Sequence, residues 1–193
     1  APDFLTNSQE AYKMARPRKI HLHNSVIFVT TSIEEGLAFP PNHLTDLILR
    51  TSIVKAQALH PVCICHFIFE ATHAHFIIKV LNPEDIRGFM ERFKTESAHA
   101  INRVLGRKKR TLWCEGYDSP ILLTPDDVVR EIVYMYENPS KDNLVDSIAH
   151  YPGFSSWRAF TNNRRLIAST AIARSKFRPI ATHSKGAYKY EAQ

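Results

Sequence analysis

Residues 67–79 read Phe67-Ile-Phe-Glu-Ala-Thr-His-Ala-His-Phe-Ile-Ile-Lys79 and predict the end of one buried strand, a tight turn and the start of a second strand. Alternate side chains of a strand lie on the same face, so His73 and His75 point in the same direction, roughly 6–7 Å apart. Two imidazoles at this spacing can both reach one divalent cation. The pair alone is a weak sign of a metal site, which also needs a third ligand and a reactive group nearby.

A third ligand and a reactive group are both present in a predicted late helix that begins after Thr124 and Pro125. Threonine is a good N-cap residue, and proline is common at the first helical position. Pro139 predicts that the helix ends near Asn138. Tyr134 and Asn138 are four residues apart and therefore share one face of the helix. The amide oxygen of Asn138 is an acceptable ligand for Mg²⁺ or Mn²⁺, and the phenol of Tyr134 is a candidate nucleophile.

Tyr136 is the alternative nucleophile on the same helix. At about 100° per residue it is turned about 200° away from Tyr134, so the two phenols cannot both face the metal. Because Asn138 shares the face of Tyr134, we expect Tyr134 to be the reactive residue.

The periodicity along the chain predicts an α+β fold. Strand-forming runs alternate with two amphipathic helices, and the candidate catalytic helix follows the fourth strand. The order strand, helix, strand, strand, helix, strand corresponds to a ferredoxin-like split β-α-β arrangement with an antiparallel sheet. The predicted strands are residues 20–31, 61–70, 73–81 and 111–123, and the first two helices are residues 45–59 and 83–105.

Length and charge divide the chain into one domain with two basic appendages. A chain of 193 residues is long enough for a single core. We assign residues 20–160 to the domain, residues 1–19 to a basic N-terminal arm and residues 161–193 to a basic C-terminal extension. The net charge is +6, and residues 158–193 alone carry eight Lys or Arg and one Glu. This unequal distribution favours a polyanionic partner such as nucleic acid.

The candidate contacts to nucleic acid are basic residues in three places and one aromatic side chain. The basic segment 107–110 leads into the fourth predicted strand beside Trp113 and Tyr117, which suits single-stranded nucleic acid, where bases stack and phosphates pair. The alternative is that Trp113 belongs to the core and the segment is a solvated turn. The candidates are Arg16, Arg18, Lys19, Arg107, Lys108, Lys109, Arg110, Trp113, Arg164 and Arg165.

Composition argues against several other classes of protein. No apolar run approaches the roughly 20 residues of a membrane helix, and the first residues have no signal-peptide pattern. Three cysteines, an odd number, argue against a disulfide framework, and we expect them to be buried thiols. We therefore expect a cytoplasmic protein without a membrane partner.

Further short motifs accompany the histidine pair and the late helix in a fixed order. They are Phe93-Lys94, Leu112-Trp113, Gly116-Tyr-Asp-Ser119, Tyr134-Met-Tyr-Glu-Asn-Pro139 and Tyr151-Pro-Gly-Phe-Ser-Ser-Trp157. On these motifs the sequence resembles the single-tyrosine transposases of insertion sequences, in the His-hydrophobic-His endonuclease superfamily. It is most similar to the REP-associated tyrosine transposases, from about residue 20 to residue 160. Thr72 stands where this family usually has asparagine, and residues 140–145 match the family poorly.

The resemblance implies a metal-dependent transposase and endonuclease that cleaves and rejoins single-stranded DNA folded into hairpins, such as repetitive extragenic palindromes. It implies that His73, His75 and Asn138 hold Mg²⁺ or Mn²⁺ and that Tyr134 forms a 5′-phosphotyrosine intermediate. A nucleoid-associated location follows from the same resemblance. Insertion-sequence relatives pair as homodimers and the REP-associated type can act as a monomer, so both states are open.

Two other classes of function remain as alternatives. One is a hairpin-DNA or RNA binding protein without transposition, because ferredoxin-like sheets also form RNA-recognition domains that stack bases on strand aromatics. The other is a replication-initiator or relaxase-type nickase, which shares the chemistry but fits the Tyr-x-x-x-Asn-Pro context less well.

Overall fold

The computed structural model describes residues 19–34, 36–166, 177–180 and 189–192. The central sheet has four antiparallel strands in the order β2-β3-β1-β4. Its strands are β1 (Val26–Ser32), β2 (Cys63–Phe69), β3 (His73–Lys79) and β4 (Ile121–Leu122). Two further strands, β5 (Phe177–Ile180) and β6 (Lys189–Ala192), pair as a separate antiparallel hairpin that the sequence did not predict.

Four α-helices and one 3₁₀ turn surround the sheet. They are α1 (His43–Leu59), α2 (Pro83–Val104), α3 (Pro125–Lys141), the 3₁₀ turn Ile148–His150 and α4 (Trp157–Thr161). The order of strands and helices up to β4, together with the sheet order, confirms the ferredoxin-like split β-α-β prediction. Among the described residues, none of the helices combines the length and the apolar character needed to cross a membrane.

The two faces of the sheet pack against different layers. Apolar residues of β1, β2 and β3 alternate between the faces, as the period of a strand requires. One face packs against α1 and α2, where the core includes Val29, Phe76 and Phe93. The opposite face packs under α3, where Ile77 meets Met135. Helix α3 covers this face together with side chains of the 3₁₀ turn and of α4, and the candidate site lies between α3 and the strands.

The N-terminus of α3 forms as predicted. Thr124 is the N-cap, and its hydroxyl accepts a hydrogen bond from the backbone N–H of Asp127. The Asp127 carboxylate accepts in return from the Thr124 backbone N–H, which completes a capping box. The C-terminus differs, because the helix runs through Pro139 to Lys141 rather than ending near Asn138. Proline removes only one donor, and Asp142 N still donates to the Asn138 carbonyl.

Two predicted strands are shorter in the structure. The first begins at Val26 rather than residue 20, because Asn24 has a positive φ of 63° and turns the chain. The predicted strand 111–123 is reduced to two isolated bridges, Ile33 with Trp113 and Thr30 with Asp118, followed by the two residues of β4. Gly116 has a φ of 75° and breaks the extended run, and Pro120 has no N–H to donate to the ladder.

The outer edge of β2 is covered by a later segment of the chain. Phe69 N donates to the Phe154 carbonyl, Ser156 N donates to the Phe67 carbonyl, and Ile68 forms a bridge with Ser155. Residues 154–156 thus act as a short additional strand on the edge of the sheet.

The three cysteines are free, as expected, but they are exposed rather than buried.

Candidate functional site

Three side chains of the β2–β3 hairpin converge at one end of the sheet. Glu70 directly follows β2, and its N–H donates to the carbonyl of His73 across the two-residue turn. The strand pairing places Glu70, His73 and His75 on the face that α3 covers. One ligand atom from each residue lies within 4.8 Å of the others. The Glu70 Oε1 atom is 3.4 Å from His73 Nε2 and 3.9 Å from His75 Nε2.

Glu70 is nearly inaccessible, with 1% of its surface exposed, and neither carboxylate oxygen accepts a hydrogen bond. Taking a carboxylate out of water without a partner is costly. Native proteins almost always satisfy buried polar atoms. The orphaned oxygens beside two imidazoles therefore fit a divalent cation, which would supply the missing partner.

Two threonine hydroxyls orient the imidazoles. Thr30, which is paired with His75 across β1 and β3, places its Oγ1 3.0 Å from His75 Nδ1. Thr72 places its Oγ1 3.2 Å from His73 Nδ1. Because both Nδ1 atoms are engaged, both Nε2 atoms point toward Glu70. A ligating histidine is usually oriented by a hydrogen bond from its second ring nitrogen to a carboxylate, a backbone carbonyl or water, and here threonine hydroxyls take that place. Thr72 can thus hold His73 at the position where the resembled family usually has asparagine.

Burial keeps His75 neutral. Desolvation, followed by the nearby His73, lowers the pKa of His75 to about 4. The ring also stacks on Phe28, with centroids 5.1 Å apart and planes 13° from parallel. A neutral imidazole has a lone pair on one ring nitrogen, and this is the form that binds metals.

Helix α3 brings Asn138 and Tyr134 to the same place. The buried Asn138 side chain contacts His75, with Nδ2 donating to Nε2 at 3.2 Å. The Tyr134 ring lies edge-on to His75, with centroids 5.8 Å apart. Tyr134 is 42% exposed, whereas His75 is 3% exposed. The phenol is therefore both next to the histidines and open to a large substrate. All four residues predicted from the two motifs, His73, His75, Tyr134 and Asn138, lie together.

Tyr136 points away from this cluster. Its hydroxyl lies 3.0 Å from His66 Nδ1 and 2.9 Å from Ser156 Oγ. Burial raises its pKa, which disfavours the phenolate. The two phenols therefore point to different places, as expected. The Tyr136 hydroxyl joins α3 to His66 of β2 and to Ser156 in the segment after the 3₁₀ turn.

The basic residues proposed to contact nucleic acid have different surroundings. Lys109 Nζ is 2.8 Å and Arg107 Nη2 is 3.2 Å from Glu34 Oε2, so part of the basic segment 107–110 is held by a carboxylate. Lys19 Nζ lies 4.1 Å from the centroid of the Tyr117 ring. Lys19 and Lys109 are exposed despite these contacts, and so are the four other described candidates, Lys108, Arg110, Arg164 and Arg165. Arg16 and Arg18 lie outside the described residues.

Trp113 requires a correction. It is 6% exposed, its indole N–H donates to Ser97 Oγ at 2.9 Å, and its ring packs between Phe39 and Phe93. A side chain enclosed in this way cannot stack on a base. Trp113 is a core residue, and the predicted contact with nucleic acid is wrong for it.

Glu70 is the member of the cluster that the sequence did not reveal. The sequence did contain a sign that Glu70 is special. A carboxylate at the end of a hydrophobic strand is unusual, and the next strand starts three residues later. The pairing of position 70 with position 73 depends on a two-residue turn. Only the register of the hairpin brings the carboxylate onto the histidine face.

Comparison with known proteins shows which solved structure has a similar fold. No protein-family model matches the chain, and no curated protein matches it. Among solved structures, the chain is similar to the REP-associated tyrosine transposase bound to a REP hairpin, with a TM-score of 0.61 and 18% sequence identity. The similarity covers 87% of this chain and 100% of that chain. The resemblance to this family is therefore confirmed at the level of the fold.

Proposed function

We propose that this protein cleaves and rejoins single-stranded hairpin DNA through a covalent bond to Tyr134. The observation that carries the proposal is the contact of α3 with the histidine pair. Tyr134 and Asn138, from a late helix, both lie against His75, from an early strand. The buried carboxylate of this polar cluster lacks a hydrogen-bond partner, which costs stability and favours a functional role for the cluster beside the accessible phenol.

The residues present fit a divalent cation, Mg²⁺ or Mn²⁺. His73, His75 and Asn138 are the ligands suggested by the sequence, and Glu70 lies within reach of the same point. When bound, such a cation acts as a Lewis acid toward an oxygen of the scissile phosphate.

Tyr134 is the nucleophile in this proposal. Its phenolic oxygen bonds to phosphorus and its proton passes to solvent, while the bond from phosphorus to the 3′-oxygen breaks and that oxygen takes up a proton. The products are a 5′-phosphotyrosine and a free 3′-hydroxyl. One phosphodiester replaces another, so a 3′-hydroxyl can reverse the step without ATP. A phenol, with an ordinary pKa of about 10, leaves more readily than an alkoxide when the strand is rejoined.

The substrate class rests on the structural neighbour, which is bound to a REP hairpin. The exposed basic residues Lys108, Arg110, Arg164 and Arg165, together with Lys19 and the arm that contains Arg16 and Arg18, are the proposed contacts to its phosphates. Arg107 and Lys109 would have to exchange Glu34 for phosphate. Monomer and homodimer are both compatible with this proposal.

A denaturing gel tests the proposal. The protein is incubated with Mn²⁺ and labelled single-stranded hairpin oligonucleotides, and a covalent protein–DNA band is scored. Tyr134→Phe is expected to remove the band while hairpin binding, measured by fluorescence anisotropy, stays within about threefold, because the ring is kept. Tyr136→Phe is the matched control from the same helix and is expected to retain the band. A band in Tyr134→Phe and none in Tyr136→Phe would assign the chemistry to the other phenol.

A further inference from the structure

We infer that Lys141 is a further catalytic residue, which leaves Glu137 when a hairpin binds and contacts the phosphate that Tyr134 attacks. This inference rests on the proposed function for the reaction that Lys141 serves. It adds to the site a cation that none of the sequence motifs contains, since Lys141 belongs to the segment 140–145 that matches the resembled family poorly.

The C-terminal end of α3 places Lys141 on the reactive face of the helix. Tyr134, Asn138 and Lys141 follow the spacing i, i+4 and i+7, so they lie along one stripe. This requires the helix to continue through Pro139, as it does in the structure. Asp142 N donates to the Asn138 carbonyl and closes the last turn. A helix that ended near Asn138 would not bring Lys141 to this stripe.

Lys141 contacts the candidate nucleophile directly. Its Nζ lies 5.4 Å from the centroid of the Tyr134 ring. A cation within about 6 Å of an aromatic centroid is attracted to the face of the ring. The same ring is edge-on to Phe28 and His75, with centroid separations of 6.1 and 5.8 Å. Both of those rings are buried, whereas the Lys141 side chain is 55% exposed, so the phenol has an accessible cation as its neighbour.

The ion pair that holds Lys141 is easily exchanged. Its Nζ lies 2.9 Å from Glu137 Oε2, and both side chains are 55% exposed. Water and salt screen an exposed pair of this kind, so it contributes little to stability. Lysine carries its charge on a flexible four-carbon stem, which lets the ammonium move while the helix stays in place. A phosphate that approaches Tyr134 therefore competes with Glu137 for the same ammonium.

The reaction needs positive charge at the place where Lys141 lies. Attack by the phenol brings the oxygen of Tyr134 against an anionic phosphodiester. Lysine and arginine side chains that contact a transferring phosphoryl group stabilise the charge that develops in the transition state. Lys141 donates hydrogen bonds and keeps all of its protons, so the bonds made and broken are those of the proposed function. Helix α3 thus supplies both the nucleophile and a positive charge for the phosphate.

The rate of covalent attachment tests this role. Wild type, Lys141→Gln and Lys141→Arg are mixed with Mn²⁺ and a hairpin oligonucleotide in single-turnover experiments. Lys141→Gln is expected to slow attachment at saturating DNA by at least about tenfold. The half-saturating DNA concentration should change by less than about threefold, because one phosphate contact among several is lost. Lys141→Arg, which keeps the charge, should react within about fivefold of the wild type.

Two control variants separate the cation from its ion pair. Arg87→Gln removes the cation of a matched exposed i,i+4 pair on α2, across the sheet, and should react at the wild-type rate. Glu137→Gln keeps Lys141 but removes its partner, and should react at least as fast as the wild type because the competing carboxylate is gone. A Glu137→Gln rate as low as that of Lys141→Gln would assign the effect to the ion pair and overturn the inference.

Lysine footprinting gives a second readout that needs no reaction. Tyr134→Phe protein is acetylated with an N-hydroxysuccinimide ester, with and without the hairpin oligonucleotide, and mass spectrometry measures the modified fraction of each lysine. Lys141 should be modified at least about threefold less when the hairpin is bound, because a contacted phosphate shields the ammonium. Lys55, on α1 and paired with Glu96, is the control and should be modified equally in both samples.

The outcomes separate the inference from the proposed function. If Lys141→Gln attaches to DNA at the wild-type rate, or if the hairpin leaves Lys141 unprotected, the inference is overturned. If the hairpin protects Lys141 but even the wild type forms no covalent band, the contact stands and the proposed function fails. A slow Lys141→Gln, a fast Lys141→Arg and protection of Lys141 together support both.

Discussion

The two faces of the sheet have different roles, although the same strands form both. On β3, Ala74, Phe76 and Ile78 enter the core against α1 and α2, whereas His73 and His75 face α3. The first face is closed and mainly apolar, with the buried hydroxyl of Thr31 as an exception. The second is apolar where Ile77 meets Met135, and it carries polar groups at the end of the hairpin and around the Tyr136 hydroxyl. A rigid apolar face can thus fix the positions of polar groups one residue away on the other face.

The largest expected effect comes from the closed face. Phe76→Ala leaves a cavity in the core and is expected to lower the free energy of unfolding by about 3–5 kcal/mol. Urea denaturation followed by circular dichroism measures the change. Leu123→Ala is the control, since Leu123 is largely exposed and should change stability by less than about 0.5 kcal/mol. A small loss for Phe76→Ala would show that the core face is not the one holding the strands.

His75, which precedes Phe76 in β3, is expected to show the opposite pattern, a loss of activity rather than of folded structure. His75→Ala should reduce covalent attachment to a hairpin oligonucleotide by at least about 100-fold, because removing groups that stabilise a transition state has effects of this size. Its far-ultraviolet circular dichroism should stay unchanged. His99→Ala, an exposed histidine of α2, is the control and should retain full activity. Equal activity in the two variants would remove His75 from the site.

Two adjacent threonines sharpen the comparison further. Thr30→Val deprives His75 of its Nδ1 partner and should weaken Mn²⁺ binding by about 10-fold or more. Thr31 points to the closed face, where its buried hydroxyl has no hydrogen-bond partner. Thr31→Val should therefore stabilise the protein by about 1 kcal/mol and leave the metal affinity unchanged. Calorimetry and urea denaturation measure both variants. An equal loss of Mn²⁺ affinity in Thr30→Val and Thr31→Val would contradict this difference between the two faces.

The smallest effect is expected for Glu34, which lies outside both faces of the sheet and changes only the pH dependence of stability. Hydrogen bonds from Lys109 and Thr111 are the main causes that lower the pKa of Glu34 to about 2. A lowered folded-state pKa contributes stability that is present above the unfolded value, near 4.5, and is lost as the pH falls through about 2. Glu34→Gln should flatten the dependence of the melting temperature on pH across this window. Glu91→Gln is the control, and an unaltered slope in Glu34→Gln would contradict the assignment.

Local patterns in the sequence were sufficient for much of the fold. The alternation around His73 and His75 predicted a strand, and Thr124 with Pro125 predicted the start of α3. Tyr134 and Asn138 could be grouped because helical spacing is independent of the rest of the molecule. These features depend on residues within a few positions of one another, and the structure contains all of them.

Features that depend on distant contacts were not predictable in the same way. The segment after residue 110 is rich in strand formers, yet Gly116 and Pro120 limit its pairing with β1. Trp113 stands beside a basic segment in the sequence, but its surroundings are set by Phe39 and Phe93. Pro139 would end an isolated helix, and here the helix continues one more turn. Glu70 joined the site only through the register of the hairpin.

The covering of β2 by residues 154–156 has a consequence for assembly. A sheet edge with free N–H and C=O groups invites strands from other molecules, and natural proteins protect such edges. Here Phe67, Phe69 and Ser156 already use the groups along that edge. The opposite edge offers only the two residues of β4 after a proline. The four-stranded sheet itself therefore offers a second copy of this chain little backbone with which to extend it.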